Sequence, residues 1–172
     1  NAGGVTIHSF FQVPFAPYVP ESSFSADGKA TYRFRYGKEK INIIRSIDLL
    51  VIDDISMVRA DLLDSVDAVL RRFRDRNKPF GGVQLLMIGD LQQLSPVVKD
   101  DEWQMLCKYY DTPYFFSSQA LKQTEYCTIE LKKVYRQNDG TFLELLNRIR
   151  ENRCDGQVLE ALNRRYIPNF VP

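Results

Sequence analysis

The chain has little of what builds metal clusters or covalent cross-links: its 172 residues include three cysteines and one histidine. Cys107, Cys127 and Cys154 are widely spaced, form no C-x-x-C pair, and cannot make a zinc cluster with His8 at any usual spacing. An odd number of scattered thiols is not a disulfide framework, so free, buried thiols in a reducing compartment are expected. No apolar run reaches transmembrane length and no signal-like segment opens the chain, which argues against a membrane partner. Neither sign of charge dominates: 23 Lys and Arg face 22 Asp and Glu. Any polyanionic partner must therefore be met by local patches rather than by bulk charge. Internal repeats and low-complexity tracts are missing too. So is an initiator methionine, and Asn1-Ala2-Gly3-Gly4 reads like the middle of a loop, so a fragment is expected.

What remains is an ordinary globular composition, 44% hydrophobic and 26% charged, which suits one soluble domain with a sizeable core. Its most informative feature is a pair of apolar runs, each ending in acid. Leu49-Leu50-Val51-Ile52 runs into Asp53-Asp54, and Val83-Gln84-Leu85-Leu86-Met87-Ile88 runs into Gly89-Asp90. Short apolar runs of this kind suit strands of a parallel sheet buried on both faces. Acids at their carboxyl ends lie where open α/β sheets place their ligands.

The rest of the chain alternates in the same sense. Residues 12–37 are irregular, with Pro14, Pro17 and Pro20 and the turn pair Asp27-Gly28. The alternating Thr31-Tyr32-Arg33-Phe34-Arg35-Tyr36 reads as an edge strand, with base stacking as the other reading. Ile41, Ile44 and Ile47 predict a helix before the first strand. Between the strands, Val58, Leu62, Val66, Val69 and Phe73 predict an amphipathic helix whose aspartates and arginines face solvent. Strand, helix, strand is a parallel crossover. Further on, a helix is expected over 101–110, a strand over Tyr114-Phe115-Phe116, a short helix over 117–121 and a strand over 127–131. A helix capped by Thr141 and Glu144 and a last helix over 157–166 complete the chain.

A strand ending in two acids is what a nucleotide hydrolase needs: one carboxylate holds magnesium, the other orients attacking water. The alternative is that Asp53 or Asp54 caps the following helix or accepts loop amide protons. Likewise Gln92 or Gln93 either senses a terminal phosphate or satisfies backbone groups of its loop.

Taken in order, the motifs resemble the PIF-type helicases of superfamily one, relatives of the RecD-like DNA helicases. Asn1 to Phe11 looks like the family's motif Ia, Val51 to Val58 like motif II, Gly89 to Val97 like motif III, and Leu131 to Gln137 like motif IV. The resemblance covers nearly the whole chain. It implies a three-layer RecA-like P-loop NTPase domain with a mainly parallel sheet, 1–172 being a single partial motor domain truncated at its N-terminus. The implied activity is ATP-driven translocation on single-stranded DNA, five-prime to three-prime, with unwinding of duplex or structured DNA. Repair, recombination and telomere maintenance are the processes such enzymes serve. ATP and Mg2+ are the implied cofactors, and single-stranded and forked DNA the implied partners. A monomer is expected, cytoplasmic in a bacterium or nuclear or mitochondrial in a eukaryote.

Carried over by position, the resemblance implies Asp53 as the magnesium acid, Asp54 as the general base, Gln93 as the γ-phosphate sensor and Arg136 as an arginine on the same phosphate. Thr6 and His8 fall in the motif along the single-strand path. The sequence departs from the family where Asp53-Asp54 replaces the usual Asp-Glu and Ser95 stands at a position commonly proline. It contains no G-x-x-x-x-G-K-[ST] loop. The 172 residues alone are therefore expected to be inactive, and a degenerate, non-hydrolysing nucleic-acid binding or scaffold module is the alternative function.

Overall fold

The computed structural model describes residues 3–20, 36–135 and 139–168. The chain divides into two compact units, 1–126 and 127–172.

In the first unit, α1 (Ile7–Phe11) and α2 (Lys38–Ser46) precede β1 (Leu49–Ile52), α3 (Ala60–Phe73), β2 (Gln84–Met87) and α4 (Asp100–Leu106). β1 and β2 pair in parallel with Leu49 opposite Gln84 and Ile52 opposite Met87, which is the expected crossover. Ile44, Leu63, Val66, Val69 and Leu70 are all but fully buried and form the centre of the core, with Ile52 and Phe80. Gly81 closes the turn after α3 at φ +61°, and a Cβ there would come within 2.7 Å of the Leu70 carbonyl oxygen, so only glycine fits so close a backbone crossing.

The strands depart from expectation. Only the face bearing Leu50, Ile52, Leu85 and Met87 packs on the core, whereas Leu49, Val51, Leu86 and Ile88 are about half exposed. The runs are apolar on both faces, but the described elements cover one. The aspartates of α3 also depart from expectation, since Asp61 and Asp64 are buried rather than solvated. Tyr114-Phe115-Phe116 is not a strand: Phe115–Ser117 forms a single 3-10 turn, and Tyr114 makes one antiparallel bridge to Arg59. The aromatic and basic run over 31–35 lies outside the described residues.

The second unit holds α5 (Gly140–Arg150) and α6 (Gly156–Asn163). Each is capped by an aspartate: Asp139 accepts the Phe142 N–H and Asp155 the Val158 N–H, both at 3.0 Å, so the expected Thr141 cap is displaced. Both carboxyls sit below the usual carboxylate range. For Asp139 the cause is first the Arg165 guanidinium and then the Phe142 amide; for Asp155 it is first the Val158 amide. The expected strand at 127–131 has no regular structure, and Ile129 and Leu131 are exposed. A lone strand has no ladder to complete, and none of the described residues pairs with this one. The thiols of Cys107, Cys127 and Cys154 are free, as expected, but all three residues are exposed rather than buried. No helix among the described residues is long and apolar enough to cross a membrane.

Candidate active site

The two acid-tipped strands end side by side because the ladder continues past them. Ile88 N–H donates to the Ile52 carbonyl at 2.9 Å, and Ile55 N–H donates back to the Ile88 carbonyl at 2.9 Å. Gly89 makes this crossing possible. A Cβ on it would sit 2.9 Å from Ile55 Cγ2 and 3.1 Å from the backbone nitrogens of Ile55 and Ser56. Asp53-Asp54 and the loop from Gly89 to Gln93 therefore flank one end of the sheet.

Asp53 follows β1 directly and is exposed; its Oδ1 accepts the Asp54 N–H at 3.0 Å. Asp54 takes the left-handed conformation, φ 49° and ψ 43°, before a 3-10 turn over Ile55–Met57. Aspartate tolerates that region better than most residues, yet it still costs about 1 kcal/mol. Among the described residues neither Asp53 nor Asp54 has an ion-pair partner, and neither caps α3, whose N-cap is Arg59. Capping of α3 is thereby set aside, whereas the other half of that alternative holds for Asp53, which accepts a loop amide proton, that of Asp54.

Across the strand ends, Asp90 organises its own loop, accepting the Gln92 N–H on Oδ1 at 3.0 Å and the Gln93 side-chain amide on Oδ2 at 3.2 Å. Gln93 is exposed and held by the half-buried Asp90, so it is placed without being consumed by backbone groups. Arg136 lies outside the described residues.

Thr6 and His8 occupy α1. The Thr6 hydroxyl caps that helix by accepting the Ser9 N–H at 3.2 Å. His8 stacks on Phe15 with ring centroids 4.4 Å apart and planes 17° apart. Its pKa is lowered, first by burial and then by the Arg59 guanidinium, which favours the neutral ring.

The sequence reading missed Arg59 itself. Its guanidinium forks onto Asp61 at 2.7 and 2.8 Å and reaches Glu102 at 3.0 Å, while Asp61 also accepts the Tyr18 N–H at 2.9 Å. This half-buried arginine and its buried aspartate thus tie together the residues after the acids, the loop after α1, and the start of α4. An arginine immediately before a helix with aspartate two residues on was the available signal, but it could not name Glu102 or Tyr18 as partners.

A family model described as PIF1-like helicase matches residues 1–158. The chain belongs to the PIF1-like helicase family. The ATP-dependent DNA helicase PIF1 of Homo sapiens is 46% identical over 113 residues, covering 66% of this chain and 16% of that protein. The Rattus norvegicus helicase of the same name is 42% identical over 167 residues, covering 94% of this chain and 23% of that protein. The chain thus spans less than a quarter of the length of these relatives. Among solved structures, Pif1 helicase from Bacteroides in complex with ADP-AlF3 and ssDNA superposes with a TM-score of 0.88 at 38% identity, over 98% of this chain and 38% of that one. The α/β fold with its parallel strand pair is that of the RecA-like domain of the PIF1-like helicases.

Proposed function

We propose that the chain is part of a motor domain of an ATP-dependent DNA helicase that translocates five-prime to three-prime on single-stranded DNA and unwinds forked or structured duplexes. The observation that carries this reading is the ladder that closes past Ile52 and Ile88, setting an exposed acid pair beside a glutamine loop. Membership of the PIF1-like helicase family supports the same direction.

The donor set fits magnesium carried by a nucleotide. Among the described residues no cluster of three or more metal-ligating side chains exists, whereas Asp53 stands exposed at the strand end with the Asp54 N–H on its Oδ1. That is the pattern of an ion bound through one or two carboxylates together with substrate phosphates and water. When bound, Mg2+ neutralises phosphate charge. In this reading Asp53 would hold the ion, Asp54 would accept a proton from the attacking water, Gln93 would contact the terminal phosphate, and Arg136 would stabilise the charge developing there. Thr6 and His8 lie on the DNA path in this proposal, in a monomer working in a bacterial cytoplasm or a eukaryotic nucleus or mitochondrion.

The test is ATP hydrolysis by the full-length protein with and without single-stranded DNA, alongside Arg136→Ala. Strong DNA stimulation that the variant loses supports the motor; no hydrolysis by the wild type overturns it. A second reading, a non-hydrolysing binding module, is favoured by Asp54 standing where the family usually has glutamate. In that case Asp54→Glu brings no gain in turnover. The 172 residues alone are expected to be inactive, so steady magnesium-dependent turnover by them would contradict that expectation.

A further inference from the structure

The acid pair and the glutamine loop are joined at their near ends by the ladder through Ile52, Ile88 and Ile55. From there Asp54 leads through a 3-10 turn to Arg59, the N-cap of α3, and Gln93 leads through Leu94-Ser95-Pro96 to Lys99, the N-cap of α4. At these far ends the two loops meet again. Arg59 Nη1 donates to Glu102 Oε2 at 3.0 Å, and the same oxygen accepts the Lys99 N–H at 3.2 Å. One carboxylate oxygen therefore joins the residues that close both loops of the site.

The Arg59 side of this contact is rigid. Asp61 accepts from Nε and Nη2 at 2.8 and 2.7 Å, which fixes the plane of the guanidinium. The Arg59 backbone bridges to Tyr114, and the next N–H, that of Ala60, donates to the Pro113 carbonyl at 2.9 Å. The Arg59 and Glu102 side chains are 14% and 18% exposed, so their contact is largely withdrawn from water. Desolvation offsets much of the attraction in such a pair, and what it adds is register rather than stability. Nor does α4 dock through it alone, because Val98 and Trp103 pack on the cluster of Ala60, Leu106 and Tyr110. Apolar packing tolerates sliding, whereas a forked guanidinium fixes an angle and a distance.

Resting on the functional reading above, we infer that Arg59 and Glu102 are positioning residues for ATP hydrolysis, their contact setting how far Gln93 stands from Asp53-Asp54. Both act through other groups: Glu102 through the loop that ends at Lys99, Arg59 through the turn that begins after Asp54. Losing the contact leaves the nucleotide bound but the acid pair and the glutamine out of register.

ATP hydrolysis by the full-length protein is measured at saturating single-stranded DNA over a range of ATP concentrations. A misplaced loop predicts that Glu102→Ala lowers kcat about tenfold while KM for ATP stays within about twofold. Glu102→Gln, whose amide oxygen still accepts from Arg59 and Lys99, recovers most of that loss. Arg59→Lys keeps the charge without the fork and falls like Glu102→Ala, and it carries the same comparisons should Glu102→Ala fail to fold. The deciding readout is the Gln93→Ala background, where Glu102→Ala is expected to cost less than about twofold, since groups that act as a unit are not additive. The same tenfold loss in both backgrounds makes the contact merely structural and overturns the inference, as does a change confined to KM. Wild-type kcat in Glu102→Ala overturns it too, while leaving the motor in place. A wild type that hydrolyses no ATP overturns the functional reading and this inference with it.

Discussion

Two sets of aspartates stand on either side of Arg59 and differ in almost every physical respect. Before it, Asp53 and Asp54 are exposed and without ion-pair partners among the described residues. After it, Asp61, Asp64 and Asp67 descend one side of α3 and each accept from several donors. Asp61 takes Arg59 and the Tyr18 N–H. Asp64 takes the Tyr110 and Ser118 hydroxyls and the Gln119 and Ala120 N–H groups. Asp67 takes Arg71 and the Phe80 N–H. A carboxylate that accepts from several donors pins loops to a helix; one left exposed at a strand end can be reached by a ligand. Residue type does not separate the two sets, but the donors around them do.

The sharpest way to break the comparison is to truncate one member of each set in the full-length protein. Asp64→Ala strands two hydroxyls and two amides in a buried site, which is expected to cost about 4 kcal/mol. A markedly lowered melting temperature or loss of soluble protein checks this; an unchanged melting temperature would show that water replaces the carboxylate. Asp53→Asn should do the reverse, lowering turnover by about a hundredfold while leaving the melting temperature where it was. If both variants fail in the same assay, the division between structural and ligand-facing acids is wrong.

How much of this could be read from the chain follows the same division. The apolar runs at 49–52 and 83–88 announced their strands, and with them the two polar strand ends that lie side by side, because hydrophobic periodicity and strand ends are local signals. Asp61 and Asp64 were misread as solvated because their apolar neighbours set the helix stripe, and a charged residue off that stripe looks exposed. Apart from Arg59, their donors come from Tyr18, Tyr110 and residues 118–120, far away in sequence, so the local pattern could not give their burial. The 127–131 segment failed for a related reason. Its residues suit a strand, but a strand needs a neighbour, and propensity does not supply one.

A subtler break targets the crossing that joins the strand ends. Gly89→Ala puts a methyl 2.9 Å from Ile55 Cγ2 and 3.1 Å from two backbone nitrogens, so the acid loop must shift. A stability loss of about 1–2 kcal/mol is expected, together with a fall in turnover larger than that loss explains. Thermal melting and ATP hydrolysis measured on the same preparation check it. Turnover that tracks stability alone would mean that the spacing of the two strand ends is not critical.

The smallest effect comes from titration, and it sets α3 against the second unit. Burial raises the Asp67 carboxyl above its ordinary range, with the Phe80 amide and Arg71 only partly offsetting it. Asp139 and Asp155, exposed caps held by guanidinium groups and backbone amides, titrate below that range. The signs of their linkage to folding are therefore opposite. Asp67 binds its proton more tightly in the folded chain, so its contribution to stability declines as pH rises from the ordinary carboxylate pKa through the raised one. Asp139 and Asp155 bind theirs less tightly when folded. What they contribute is fully present above the ordinary pKa and is lost as pH falls through the lowered ones, loosening the first turns of α5 and α6. Carboxyl carbon shifts followed by NMR from neutral pH downward should show Asp67 titrating first and the two caps last. Caps that titrated with Asp67 would mean that the bonds to Phe142 and Val158 are not held in solution, and that only the buried acids of α3 are fixed in place.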